Sequence, residues 1–436
     1  VSEASVIGGV DGDATAPASR PAGIVLAVLR HVLLALVSVI TATVGVFAVR
    51  GFRWLLARLG DGDGPWTAAD RWWVVLPAFG CVLGMLIVRF AKVTPVTVDA
   101  YVAGLADGRQ QTRAMPPRAG ALVAGVGAGA PLGYEGPLIY VGGSIGAVFG
   151  RMMSAAERPF VLAGGAATVS AVLGSPLAAA LFASEVTRRG MPRRSDAVAL
   201  AIAATTSWWV LGYNDRPRAI IGDDPGRLGD RAGVFALLLG VTAGFAAAAF
   251  VATVRWAKAR TWSLGVRLPL VVGALVAGLG STWWWVGDPV LYGPGERLRD
   301  WAVGEGAAEP VWVPVVLVAV FVAMVVACVA GGVVGGLYLP LLALGSIVGL
   351  LVRTAVDGVP LSIAMTLGAF GVLAAGYGTR WTAVALLLAA FGWSAATLAG
   401  VVVVIVASLV SGSRTVSVGQ TSARPSWWPG GRHVHS

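Results

Sequence analysis

An all-helical membrane protein, built from many tilted and broken transmembrane segments in two related halves, is the fold class the sequence predicts. Three observations predict it. Of the 436 residues, 57% are hydrophobic and 12% charged, a balance far from that of soluble domains. Apolar runs near the roughly 20 residues that one bilayer crossing needs recur from position 23 to position 412. Several runs are interrupted by Gly and Pro at corresponding places in the two halves. Non-helical backbone at membrane depth survives only where protein buries it or where it lines a wet cavity, so these breaks point to a transport site.

Taken in order, a small, polar tail over 1–22, expected in the cytoplasm, lacks a basic segment feeding a short apolar core, so no cleavable signal is expected and the first span should stay. A first membrane repeat follows over 23–212, with long spans at 23–49 and 73–90 and shorter, broken ones at 119–131 and 137–153. An extracytoplasmic loop at 213–231 leads to a second repeat over 232–412, with long spans at 234–254, 269–286, 311–330 and 397–410 and a broken one at 337–352. The tail over 413–436 is expected in the cytoplasm and is too short for a folded regulatory domain.

The formal charge of +10 suggests nucleic acid only until the basic residues are placed. Arg109, Arg113 and Arg118 form one group, Arg188, Arg189, Arg193 and Arg194 a second, Arg255, Lys258, Arg260 and Arg267 a third, all between spans. The positive-inside rule explains them and makes those turns cytoplasmic. The segment 287–310 carries Asp288, Glu296, Asp300, Glu305 and Glu309 against Arg297 and Arg299, and is expected outside. Cys81 and Cys328 lie in apolar runs far apart and read as packing residues. With His31, His433 and His435 the only histidines, no metal-ligand or nucleophile constellation is present, so neither a cofactor nor an enzymatic reaction is expected. Trp283, Trp284 and Trp285 read as an interfacial aromatic belt.

The two halves echo each other. Pro137, Leu138, Gly142 and Gly146 are matched by Pro340, Leu341, Gly345 and Gly349, with Gly-Ser-Ile in both. Downstream, 162–182 resembles 367–387: a small-residue helix, a break at Gly174-Ser175-Pro176 or Gly378-Thr379-Arg380, then a second helix. Gly-xxx-Gly spacing alone packs helices closely. The recurring order of Pro, apolar run, break and second helix is what packing does not predict, and paired breaks of this kind mark a site at a repeat interface.

The loop Leu132-Gly133-Tyr134-Glu135-Gly136-Pro137 precedes a helix that is expected to begin at Pro137. The unsatisfied amides of such an end attract an anion without a cationic side chain. Gly133 and Gly136 are expected to supply the backbone freedom that lets those amides converge. The loop Gly335-Gly336-Leu337-Tyr338-Leu339-Pro340 would bring a second helix end to the same place. Glu135 is the residue to single out, because a carboxylate at membrane depth costs about 2.5 to 3.5 kcal/mol and usually marks an ion or proton path. Two readings remain open for it: a gate that occupies the anion's own place until it is protonated or displaced, or a helix cap and nothing more.

Gly133-Tyr134-Glu135-Gly136-Pro137 with Gly142-Gly143-Ser144-Ile145-Gly146 resembles the G-[KR]-E-G-P motif and its helix in the CLC chloride channels and proton-coupled chloride exchangers. Gly336-Leu337-Tyr338-Leu339-Pro340 resembles that family's G-x-F-x-P loop, and Gly174-Ser175-Pro176-Leu177-Ala178 its small-Pro-Leu-Ala break. The resemblance runs from about 23 to 412. It implies an inverted-topology repeat in a plasma-membrane homodimer surrounded by lipid, with chloride or a similar anion moving through a pore in each subunit. It makes Glu135 the external gate and the amides of Leu337 and Tyr338 the central anion site.

The departures bear on mechanism. Val93-Thr94-Pro95-Val96-Thr97 stands in register with the family's G-S-G-I-P, so Thr94 either replaces the serine hydroxyl or is an ordinary loop hydroxyl. The family's inner tyrosine has no counterpart near the last helix, where Ser417 falls nearest. Tyr134 replaces the basic residue of the gate motif. In Ser184-Glu185-Val186-Thr187, Val186 occupies the proton-relay place, and Glu185 is expected to pair with Arg188 and Arg189 along its own helix. These changes favour a channel over a proton-coupled chloride or fluoride exchanger, with an unrelated organic-solute transporter a weaker third reading.

Overall fold

The computed structural model describes residues 20–60, 72–152, 156–188, 194–212, 228–260, 262–412 and 415–416. Within them the first half comprises α1 (Arg20–Gly60), α2 (Trp72–Phe90), α3 (Val98–Ala106), α4 (Met115–Gly125), α5 (Glu135–Met152), α6 (Glu157–Leu173), α7 (Pro176–Arg188) and α8 (Arg194–Leu211). The second comprises α9 (Ala232–Ala259), α10 (Leu264–Val286), α11 (Glu296–Val303), α12 (Trp312–Gly331), α13 (Tyr338–Ala355), α14 (Leu361–Tyr377), α15 (Arg380–Phe391) and α16 (Ala395–Ser411).

The repeat is visible in the packing. α5 lies on α6 as α13 lies on α14, α1 on α8 as α9 on α16, α2 on α4 as α10 on α12, and α3 on α5 as α11 on α13. Each first-half helix thus has the neighbours of the helix eight places on. The matched glycines explain part of this. A Cβ on Gly142 would fall 2.3 Å from the Gly164 carbonyl oxygen, and one on Gly345 would fall 2.4 Å from that of Gly368. The helix backbones touch at both places, as small-residue spacing permits.

Length then separates two kinds of helix. At 1.5 Å per residue the 41 residues of α1 run about 60 Å, twice the ~30 Å hydrocarbon layer, so it must cross obliquely. α6, α7, α14 and α15 have 17, 13, 17 and 12 residues, short enough to end inside the layer. Their breaks fall where the sequence places them. Gly174 (φ 58°) closes α6 and Gly378 (φ 78°) closes α14 in the left-handed conformation that glycine tolerates. The Ser175 hydroxyl then accepts from the Ala178 N–H at 3.4 Å, capping α7.

α5 begins at Glu135 and α13 at Tyr338, so each proline is the third residue of its helix and not the first. Proline has no N–H to lose in a first turn, which makes either register acceptable. The consequence is that Glu135 belongs to the helix start itself. Much of the outer surface is apolar: Phe90, Trp209, Leu398 and Leu409 are exposed, an aggregation-prone surface in water and the expected one in lipid. Cys81 and Cys328 are buried and not joined.

Candidate functional site

The N-termini of α5 and α13 meet at the centre, held by a short antiparallel bridge. The Gly133 N–H donates to the Gly336 carbonyl at 2.9 Å and the Gly336 N–H donates back at 2.6 Å. Glu135 is fully buried beside this bridge. Its Oε1 accepts from the Tyr338 N–H at 2.6 Å, the first amide of the opposite helix. Its Oε2 is buried with no hydrogen-bond partner among the described residues. One carboxylate therefore sits where two helix ends direct positive potential, held by a short charge-assisted bond on one oxygen only.

The glycines of both loops make room for it. A Cβ on Gly133 would lie 2.0 Å from Oε2, and one on Gly336 would lie 1.9 Å from Oε1. Two of the sequence expectations are corrected here. Neither Gly133 nor Gly136 has a positive φ, so they contribute space and not unusual backbone torsion. The Gly133 amide, moreover, is already used in the bridge and does not face an ion. Gly136 instead allows close approach of Val98, whose Cγ2 would be 2.9 Å from an added Cβ.

On one side of the carboxylate, Tyr134 is buried with its ring stacked on Phe52 of α1, centroids 5.4 Å apart and planes 1° from parallel. Its hydroxyl lies 3.4 Å from Glu296 Oε1 of α11, and Arg53 reaches the same oxygen at 3.4 Å. The cation that the gate motif lacks at Tyr134 is thus supplied in space by α1. Nothing near position 134 signals this, since Arg53 and Glu296 are 243 residues apart in sequence.

A cavity of about 430 Å3 is lined by Gly336, Leu337 and Tyr377, by Thr94 and Thr97, and by residues at the basic turn between α9 and α10. The Thr94 hydroxyl accepts from Arg118 Nη2 at 2.7 Å, and Arg118 Nε donates to the Thr94 carbonyl at 3.0 Å. That leaves the Thr94 O–H proton available to the cavity. Arg118 itself is buried, with its guanidinium 4.4 Å from the centre of the Tyr140 ring, so it is not the loop cation its sequence position suggests. Tyr377 is a residue the sequence reading missed. Its buried hydroxyl has no partner among the described residues, and its ring packs with Tyr338 and Phe182 at centroid distances of 6.3 and 5.6 Å. Ser417 lies outside the described residues.

Glu185 ties α7 to α15, while Arg189 and the side chain of Arg188, the partners expected along its own helix, lie outside the described residues. Its carboxylate accepts from the Trp381 and Thr382 N–H groups, both at 2.8 Å, and from the Thr382 hydroxyl at 2.6 Å. These are the first turn of α15. Val186 packs against the core. Charge is also buried away from this site, where Arg158 pairs with Asp196 at 2.9 Å.

The family model for the voltage-gated chloride channel matches residues 79–412. A putative ClcB-like chloride channel protein of Ralstonia nicotianae is 26% identical over 151 residues, 32% of this chain and 35% of that protein. The chain therefore aligns with about a third of that relative's length. Among solved structures, a slow cyanobacterial Cl-/H+ antiporter superposes with a TM-score of 0.72 at 18% identity, over 89% of this chain and 96% of that one. A CLC-type fluoride/proton antiporter does so at 0.71 and 19%, over 93% and 99%. A eukaryotic CLC transporter follows at 0.69 and 16%, over 91% and 74%. At these identities the likeness establishes the fold, an all-α membrane architecture of the CLC type with inverted repeats.

Proposed function

This chain belongs to the voltage-gated chloride channel family, and we propose that it moves chloride or a similar small anion across the plasma membrane, with Glu135 as the gate. The observation that carries the proposal is the lopsided hold on that carboxylate: one oxygen on the Tyr338 amide at 2.6 Å, the other without a partner. An anion arriving at the same amide competes with the carboxylate for one donor. Protonation removes the negative charge and weakens the side chain's claim, so flux rises as pH falls. Partial charges of helix ends suit this role, because a full cation at the narrowest point would hold the ion too long. The amides of Leu337 and Tyr338 and the hydroxyl of Thr94 form the ion's path, Gly133 and Gly136 give the clearance, and Tyr134 shapes the approach.

The basic turn bearing Lys258 and Arg260 faces the cytoplasm, and α11 with Glu296 faces outward. Each subunit carries its own path, and the protein works as a homodimer in lipid. A detergent-corrected mass of a single chain, stable on dilution and in lipid, would count against that assembly.

Passive conduction is the favoured mode, because Val186 packs in the core and Glu185 is fully engaged by α15, leaving no side-chain relay at the family's proton-accepting place. A second reading, proton-coupled exchange with Glu135 as the sole carrier, draws support from the two superposed antiporters. Reversal potentials in proteoliposomes under opposed chloride and proton gradients separate the two. Conduction gives a potential that follows chloride alone. Uphill chloride accumulation driven by a proton gradient would establish exchange instead.

A further inference from the structure

One face of α9 is exposed down to its C-terminal end. Val241, Phe245, Ala249, Ala252 and Trp256 follow one another at steps of three or four residues, all exposed, and the stripe ends on exposed Arg260, as one side of a helix repeats. The opposite face is packed on α16, where Val406 and Val410 approach Gly240 and Gly244. At the end of the stripe the Arg260 guanidinium lies 4.4 Å from the centre of the Trp256 ring and 5.9 Å from that of Trp262, and the two rings are themselves 6.5 Å apart. Two donors of this corner are unused: Trp262 Nε1 and Arg267 Nε are both buried with no partner among the described residues. Arg267 stands one turn into α10, its N–H donating to the Ser263 carbonyl at 3.0 Å. A buried donor, above all one on a charged group, is costly unless an acceptor fills it.

We propose that this corner binds the phosphate of an anionic phospholipid of the cytoplasmic leaflet, with the acyl chains lying along the α9 stripe. The leaflet follows from the positive-inside rule, which puts the turn between α9 and α10 in the cytoplasm. A phosphodiester carries two free oxygens, which the edge of a guanidinium matches in pairs, and the indole N–H adds one more donor. Tryptophan at a membrane surface turns its apolar body to the chains and its N–H to the headgroups. A free phosphate would use the same donors and leave the stripe uninvolved. An apolar lane that ends on a cation packed against indole rings is the shape of an amphiphile, chains and headgroup together. The assignment stands whether or not anions pass through the chain. Where they do pass, an occupied headgroup site lowers the positive potential of the cavity that Arg260, Trp262 and Arg267 also line, and so slows the supply of anions to it.

Native mass spectrometry of the purified full-length protein, titrated in detergent with phosphatidylglycerol or with phosphatidylcholine of the same chains, tests the assignment. Wild type is expected to hold phosphatidylglycerol more tightly by about fivefold or more, since each arginine near such a headgroup contributes about that factor. Arg260→Gln and Arg267→Gln should each weaken phosphatidylglycerol by about fivefold and leave phosphatidylcholine as it was, whereas Arg267→Lys, which keeps the charge, should lose less. A second reading comes from brominated chains: tryptophan emission should be quenched more by brominated phosphatidylglycerol than by brominated phosphatidylcholine, and Trp256→Phe should shrink that difference. Equal affinity of wild type for the two lipids would overturn the proposal, as would an unchanged phosphatidylglycerol affinity in the double variant Arg260→Gln, Arg267→Gln. Glycerol phosphate displacing the lipid at equal concentration would overturn it too, because the site would then serve a free phosphate.

Discussion

Glu135 and Glu185 are two buried carboxylates of the first half that each accept hydrogen bonds from the N-terminus of a second-half helix, yet they are held very differently. Glu185 has both oxygens occupied, by two amides and a hydroxyl of α15. Glu135 has one oxygen on one amide and the other bare. The first arrangement fixes α7 to α15 and leaves no reason to move. The second is a bond that one competing ion or one proton can replace. The same chemistry, a carboxylate at a helix start, thus makes a fastener in one place and, under the proposed gating, a releasable occupant in the other. The count of satisfied acceptors decides which.

The sharpest way to break the comparison is Glu185→Ala. It leaves the α15 donors without their acceptor and should cost about 2 to 3 kcal/mol, read as a melting temperature several degrees lower in detergent. Glu135→Ala should melt near wild type. Reversed melting temperatures would exchange the two roles. Next in size is Glu135→Gln, which replaces a charge-assisted bond of about 1.5 to 3 kcal/mol with a neutral contact. Anion flux into proteoliposomes should rise about tenfold or more and lose its dependence on pH, whereas wild-type flux climbs with acid. Unaltered flux and pH response would make Glu135 only a cap.

Smaller effects sharpen the contrast without touching either acid. Gly133→Ala and Gly336→Ala place a Cβ about where the carboxylate oxygens now lie, so they should raise flux several-fold with Glu135 intact. Gly136→Ala, whose obstacle is a Val98 methyl, should do less. Smallest is Thr382→Val, which removes one of three bonds to Glu185 and should cost about 1 kcal/mol of stability with flux unchanged. A change in flux there would tie Glu185 to the pathway after all.

What could be read in the sequence was local. Spans follow from apolar runs, and the breaks from Gly174, Pro176 and Gly378. The two gate loops follow from a pattern of Gly and Pro repeated in both halves. What could not be read joins distant positions. The Glu185 bonds to α15 span 196 and 197 residues, a separation that no helical spacing signals. Arg53 stands in for a missing cation from a different helix. Arg118 looked like a loop charge because its burial depends on Thr94 and Tyr140, neither adjacent to it. Hydropathy reports the solvent a segment meets on average, not the single neighbour that a polar atom finds.

The bridge between Gly133 and Gly336 has a consequence for turnover. Two backbone hydrogen bonds at 2.9 and 2.6 Å join the halves beside Glu135, the proposed gate. Rocking one half against the other, the usual motion of proteins with duplicated folds, would tear that seam at every cycle and strand four peptide groups away from water. A side chain rotating beside an intact seam avoids this. Its clock is that of rotamer exchange and not of bodies sliding in a viscous bilayer, so tethering the two halves together elsewhere should leave the rate of passage where it was.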